Sequence, residues 1–68
     1  MWEFDFSKMR TIREVKHLTR KQCATAIGKT KVAYGLKENG QAPFSAAEVG
    51  ALATLFKVEP KLFYLRKK

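Results

Sequence analysis

Two short clusters of basic and hydroxyl residues stand where helices are expected to begin. They are Thr19-Arg20-Lys21 and Lys29-Thr30-Lys31. The amide N–H groups at the N-terminus of a helix are unpaired and the helix dipole is positive there, so this end attracts anions. Basic side chains in a first helical turn oppose that dipole, and an external anion such as phosphate would remove the conflict. The two clusters therefore indicate binding of a polyanion.

The distribution of charge along the 68 residues supports this interpretation. The formal net charge is +8. Between Lys8 and Lys37 the chain carries nine lysine or arginine residues against a single acidic residue, Glu14. A basic patch concentrated on one small domain favours nucleic acid as the partner.

Other classes of function find little support in the sequence. Cys23 and His17 are the only cysteine and histidine, too few for an intramolecular disulfide or a Cys/His zinc site. The sequence has no pair of catalytic carboxylates, no nucleophile with a base nearby and no glycine-rich phosphate loop. We therefore expect no enzyme activity, no cofactor and no metal. Apolar runs are too short to span a membrane and a lone thiol suits a reducing compartment, so we expect a soluble cytoplasmic protein without membrane contact.

The elements that would position the basic clusters are predicted to be five short helices after an extended arm. In the arm, residues 1–6, apolar and acidic residues alternate as in a half-buried strand, which either covers the core or pairs with a second copy. Capping residues at Ser7, Thr19, Thr30 and Ser45 and a proline at residue 60 predict helices over about 8–17, 20–26, 31–38 and 46–56 and a short last one. Gly28 and Asn39-Gly40 stand where helices end. The fold class is therefore all-α, with one domain over 1–68.

The second and third predicted helices form a candidate helix-turn-helix over 19–38. Each is about two turns long, and Ile27-Gly28-Lys29-Thr30 joins them by a tight turn. In this arrangement the second helix of the pair fits the major groove of DNA, while the first crosses the phosphate backbone.

Five sets of residues at fitting spacings lead to a family resemblance. They are Met9-x-x-Ile12-Arg13, Leu18-Thr19-Arg20, Cys23-Ala24-x-x-Ile27-Gly28-x-Thr30, Glu38-Asn39-Gly40 and Phe56-Lys57-Val58-x-Pro60. From Met9 to about Tyr64 the chain resembles the lambda-repressor/Cro-like (XRE) helix-turn-helix family. With its Phe-Asp-Phe-Ser opening it is similar to small phage regulators of the lysogeny switch. The resemblance implies a five-helix fold and a DNA-binding transcriptional regulator in the bacterial host cytoplasm. Its partner would be a double-stranded DNA operator, bound by a possible homodimer.

The resemblance also implies roles for individual residues. Arg20, Lys31 and Val32 fall on positions that contact bases or phosphates, and Asn39 falls on a phosphate contact. Arg13 and Glu38 fall on positions that form a structural ion pair. Together with neighbouring basic residues, the candidate DNA-binding or partner-binding set is Arg20, Lys21, Lys29, Thr30, Lys31, Val32, Gly35, Leu36, Lys37 and Asn39.

The middle of the predicted reading helix leaves two hypotheses open. Val32, Gly35 and Leu36 offer no hydrogen-bonding group to a base edge. Specificity could rest on a few contacts and on DNA shape. Alternatively, this face could bind a protein, as in antirepressors (modulators of repression), which inactivate a cognate phage repressor. Near the C-terminus, the four adjacent apolar residues 62–65 predict that one or two of them are exposed or lie in a subunit contact.

Overall fold

Four α-helices and a two-stranded antiparallel hairpin make up the fold. The structure is a computed structural model that describes residues 2–66, with the backbone alone for Trp2 and Arg66. The elements in chain order are β1 (Trp2–Phe4), α1 (Phe6–Val15), α2 (Arg20–Ala26), α3 (Lys31–Glu38), α4 (Ala46–Phe56), a 3-10 turn (Pro60–Phe63) and β2 (Tyr64–Arg66). The predicted bounds of α2, α3 and α4 are confirmed, as are the caps Thr19, Thr30 and Ser45.

The prediction for the first helix was wrong at both ends. Asp5, not Ser7, is the N-cap, and its carboxylate accepts a hydrogen bond from the Lys8 amide at 3.0 Å. The negative charge of a carboxylate at this position also interacts favourably with the positive end of the helix dipole. A serine hydroxyl is neutral and lacks this interaction. At the other end the chain turns out of the helix at His17, whose φ of 57° is in the left-handed region. The helix therefore ends at Val15.

The fifth helix was also predicted wrongly, because the C-terminal segment makes a 3-10 turn and then a strand. Strand β2 pairs antiparallel with β1, with Glu3 opposite Leu65 and Phe4 opposite Tyr64. As a strand, this segment forms inter-strand hydrogen bonds with the N-terminal arm. As a helix it would leave the backbone N–H and C=O groups of the arm without these partners. The arm thus pairs with its own chain in the described residues. The side chain of Trp2, predicted to share a face with Phe4, lies outside what the structure describes.

The core lies between the helices and the hairpin. Leu62 and Leu65 are 42% and 52% exposed beside the buried Phe63, as the run of four apolar residues predicted. Phe4 joins the hairpin to the core through ring contacts with Phe44 and Phe63. The buried apolar residues are Met9, Cys23, Ala24, Tyr34, Val49, Leu52, Ala53, Phe56 and Phe63. Burial of Cys23 and Tyr34 places α2 and α3 firmly on the core, so their opposite sides face outward.

Candidate nucleic-acid interface

Capping residues set the directions in which α2 and α3 begin. The Thr19 hydroxyl accepts from the Gln22 amide at 3.1 Å, and the Gln22 side chain accepts from the Thr19 amide at 2.8 Å. The Thr30 hydroxyl accepts from the Ala33 amide at 3.1 Å. Between the helices Gly28 has a φ of 69°, a conformation that glycine adopts without strain. Thr30 therefore caps the start of α3.

The basic residues at the starts of α2 and α3 line one shallow, open groove. It is lined by Arg13, Leu18, Thr19, Arg20, Lys21 and Lys31. The first residues of both α2 and α3 are thus in one place, as the helix-turn-helix geometry requires. Lys29 is not among the lining residues; it lies in the turn between α2 and α3 and is exposed. An anion in this groove would meet two helix N-termini and several cationic side chains at once.

The exposed side of α3 continues from this groove. Because side chains four residues apart stack on a helix, Lys31 and Gly35 form one row with the C-cap residue Asn39, and Val32 and Leu36 form the next. Val32 is 74% exposed and Leu36 is 44% exposed. A Cβ atom added at Gly35 would meet nothing within 4 Å, so a partner can approach the backbone closely there. This side of the helix is therefore open along its whole length.

Lys37 is not part of that surface, although it was predicted to belong to the DNA-binding or partner-binding set. Its Nζ lies 3.0 Å from Glu48 Oε1 and 2.9 Å from the carbonyl oxygen of Pro43. The Lys37 side chain is only 16% exposed and points to the opposite side of α3. It joins α3 to the start of α4, where the Glu48 carboxylate also accepts from the Ser45 amide. Its ammonium is occupied within the fold, so we assign Lys37 a structural role.

Glu38 is a fully buried carboxylate surrounded by three arginines. Arg13 Nε lies 2.7 Å from Glu38 Oε2, Arg20 Nε lies 3.3 Å from Oε1, and Arg10 Nε lies 3.8 Å from Oε1. Arg13 also donates to the carbonyl oxygen of Leu18 at 2.8 Å, which fixes the link between α1 and α2. The network therefore ties α1, α2 and α3 together behind the basic groove. Arg20, expected at a base or phosphate, is 43% exposed and serves this network as well.

The arginines keep the buried carboxylate ionised. Burial alone would raise the pKa of Glu38, but the hydrogen bond from Arg13, the neighbouring Tyr34 hydroxyl, the positive charge of Arg13 and a hydrogen bond from Arg20 together outweigh burial and hold the pKa below its ordinary value. The hydrogen bond to Glu38 likewise raises the pKa of Arg13 against the effect of burial. Both groups are therefore charged at neutral pH.

This lowered pKa predicts a loss of stability in acid. A group whose pKa is lower in the folded state stabilises the fold above its unfolded pKa, and the stabilisation is lost as pH falls through the folded pKa. For Glu38 the loss should begin below about pH 4.3, the ordinary pKa of glutamate. Melting temperatures of the wild type and of Glu38→Gln should differ most near pH 7 and converge as pH falls through this range. A difference that stays constant with pH would contradict the assignment.

Arg10 was missed as a member of the site. Its guanidinium Nη2 donates to Asn39 Oδ1 at 3.3 Å, so it contacts the end of the exposed α3 surface. A signal was present in the sequence, because Arg10 and Arg13 are three residues apart and so share one face of α1. Their partners, however, are distant in the chain: Glu38 lies 25 residues after Arg13, and Asn39 lies 29 residues after Arg10.

Solved structures similar to this chain include a bacterial controller protein. The chain is similar to the crystal structure of the restriction-modification controller protein C.AhdI from Aeromonas hydrophila, with a TM-score of 0.77 and 28% sequence identity. The match covers 85% of this chain and 88% of that one. No family model and no curated protein matches the chain. This protein therefore has the fold of a small helix-turn-helix regulator, with four α-helices and a hairpin.

Residues 2–66, the part of the chain that the structure describes, lack two further features. No helix there is long and apolar enough to cross a membrane. No group of three or more His, Cys, Asp or Glu residues in that range is arranged to hold a metal ion.

Proposed function

We propose that this protein is a sequence-specific DNA-binding transcriptional regulator that places α3 in the major groove. One observation carries the proposal: the first residues of α2 and α3 line the same basic groove, and this groove lies beside the exposed side of α3. The similarity to a controller protein of restriction-modification supports a regulatory role. The proposed regulator acts in the cytoplasm of a bacterium.

In this proposal some residues contact phosphates and others contact bases. Lys21, Lys29 and the first amides of α2 and α3 meet phosphates, which fixes the protein on the duplex without reading sequence. Lys31 can donate to guanine O6 and N7, and Val32 can contact a thymine methyl group. With so few base contacts, the remaining specificity comes from the shape and deformability of the site.

Two copies acting together would extend a short recognition surface. Leu62 and Leu65 are exposed next to the buried Phe63, and they offer an apolar contact for a second copy. A two-fold dimer reads half-sites about 34–36 Å apart, one turn of DNA. We therefore include a homodimer on a palindromic operator in the proposal.

The test is DNA affinity measured over a series of salt concentrations. The probe is DNA from the region upstream of the protein's own coding sequence, compared with a shuffled duplex of equal length. For Lys21→Ala we expect weaker binding and a salt slope smaller by about 0.9, the value for one lost phosphate contact. The matched control is Lys61→Ala, which removes an exposed lysine from the 3-10 turn, an element that contacts α1, α4 and β2. Equal affinity for the shuffled duplex would contradict the proposal.

A second candidate function rests on the apolar side of α3. Val32 and Leu36 are exposed, and α3 shows few groups that could read bases. An apolar surface bordered by lysines also suits a protein partner with an acidic rim. In this case the protein is an antirepressor that binds a cognate repressor, as in a phage lysogeny switch. The two functions are separated by adding the repressor encoded beside it to the DNA-binding assay. An antirepressor releases the repressor from DNA without binding DNA itself.

A further inference from the structure

The contact between Arg10 and Asn39 joins the outer side of α1 to the end of α3. Arg10 Nη2 lies 3.3 Å from Asn39 Oδ1, and Arg10 Nε lies 3.8 Å from the buried carboxylate of Glu38. The Arg10 side chain is 47% exposed, so one part of the guanidinium is held by the fold and the rest is open. Asn39 is exposed and follows Lys31 and Gly35 along the same row of α3.

This contact determines which end of the Asn39 amide faces outward. A guanidinium has five N–H donors and no acceptor. The amide group of Asn39 must therefore turn its oxygen, its only acceptor, toward Arg10. The Nδ2 group with its two donors is directed away from Arg10, and no hydrogen bond joins it to the described part of the chain. An asparagine without this partner could present either end.

We propose that Arg10 is a positioning residue that fixes Asn39 as a hydrogen-bond donor to a DNA phosphate. The proposal rests on the proposed DNA-binding function and adds a second anchoring point to it. The basic groove holds the phosphate backbone at the start of α3, and the Arg10–Asn39 pair holds it at the end of the same helix. With both ends anchored, the orientation of α3 in the groove is fixed along its length.

The salt dependence of binding distinguishes positioning from direct contact. A charged side chain on a phosphate releases a counterion, whereas a neutral amide donor does not. If Arg10 acts through Asn39, Arg10→Ala and Asn39→Ala both weaken binding and leave the salt slope unchanged, and Arg10→Ala has the smaller effect because its Asn39 can still present the donor end. The double variant is then no weaker than Asn39→Ala. If Arg10 itself contacts a phosphate, its slope falls by about 0.9 and the two effects add.

The experiment measures the affinity and salt slope of these three variants with the operator duplex. We expect Asn39→Ala and the double variant to bind about tenfold more weakly than the wild type, equivalent to about 1.4 kcal/mol and in the range for hydrogen bonds to charged groups, and Arg10→Ala to lose a smaller part of this affinity. Lys8→Ala removes a charge from an exposed position on another side of α1, and Gln41→Ala removes an exposed amide just beyond α3. Both controls should bind DNA as the wild type does. Additive effects, or a reduced slope for Arg10→Ala, would overturn the proposal.

Asn39→Asp tests the direction of the amide. It replaces the donor by a carboxylate oxygen and keeps the acceptor for Arg10. We expect a melting temperature close to that of the wild type but DNA binding weaker than in Asn39→Ala. Equal binding by the two Asn39 variants would overturn the proposal.

A readout without DNA separates this proposal from the proposed function. In the free protein, Arg10→Ala should shift the side-chain amide NMR signals of Asn39, and Lys8→Ala should not. Unshifted signals overturn the Arg10–Asn39 pair even if the protein binds DNA. Shifted signals in a protein that binds no DNA instead reject the DNA-binding function, and the phosphate role of Asn39 with it.

Discussion

Replacing Glu38 with alanine is expected to lower the free energy of unfolding by about 3–5 kcal/mol. The substitution leaves Arg13 in a buried position without its anion, and it removes the shared partner of Arg10 and Arg20. A domain of this size has a total stability of about 3–10 kcal/mol, so the expected loss is a large fraction of the total. The measurement is denaturant unfolding followed by circular dichroism.

Two further variants make the stability result interpretable. Glu59→Ala breaks an ion pair with Lys61 in which both side chains are largely exposed, and it should change stability by less than about 1 kcal/mol. Glu38→Gln retains the shape of the side chain and an acceptor oxygen for Arg13, so its effect should fall between the two alanine variants. A loss for Glu38→Ala as small as that for Glu59→Ala would show that the arginine network does not stabilise the fold.

Replacing Val32 with aspartate is expected to weaken DNA binding by at least about 100-fold. The new carboxylate would face the phosphates and base edges of the groove, and like charges brought together across an interface cost several kcal/mol. The fold should be unaffected, because Val32 is 74% exposed in the free protein. The measurement is affinity for the operator duplex at a single fixed salt concentration, with circular dichroism to verify folding.

Val15→Asp is the matched control for this variant. Val15 is the last residue of α1 and is 67% exposed, so the same change of charge occurs at a similarly exposed valine outside α3. We expect a much smaller effect on DNA binding, arising only from the reduced net charge. If the two aspartate variants bind DNA equally well, α3 does not enter the groove. A repressor complex lost in Val32→Asp alone would then favour the antirepressor function.

Much of the fold could be predicted from the sequence because its helix starts depend on local interactions. The caps of α2, α3 and α4 each involve a hydroxyl and an amide three residues further along the chain. The glycine at residue 28 is likewise a local requirement of the turn. Such features are visible in any window of a few residues, and together they predicted the helix-turn-helix and the exposed side of α3.

Interactions between distant residues account for the errors other than that at the start of α1, where the cap, Asp5, is local. The C-terminal segment was predicted as a helix, because local sequence does not show that it pairs with β1 at the opposite end of the described chain. Lys37 was placed on the outer surface because the acceptors that hold it, Glu48 and Pro43, belong to the next helix and its preceding loop. A lysine in a basic sequence does not reveal whether its ammonium faces solvent or an internal carboxylate.

The sequence by itself determined the starts of α2, α3 and α4, the basic residues at the starts of α2 and α3, and the apolar middle of α3, since these follow from spacing and capping within a few residues. Only the tertiary structure decided that the arm pairs with its own C-terminal strand. It also brought Arg10 to Asn39 across 29 residues of chain and turned the Asn39 oxygen inward. The physical reason is the same in each case. Hydrogen bonds and ion pairs depend on distance and direction in space, and these become defined only when separate helices pack on a common core.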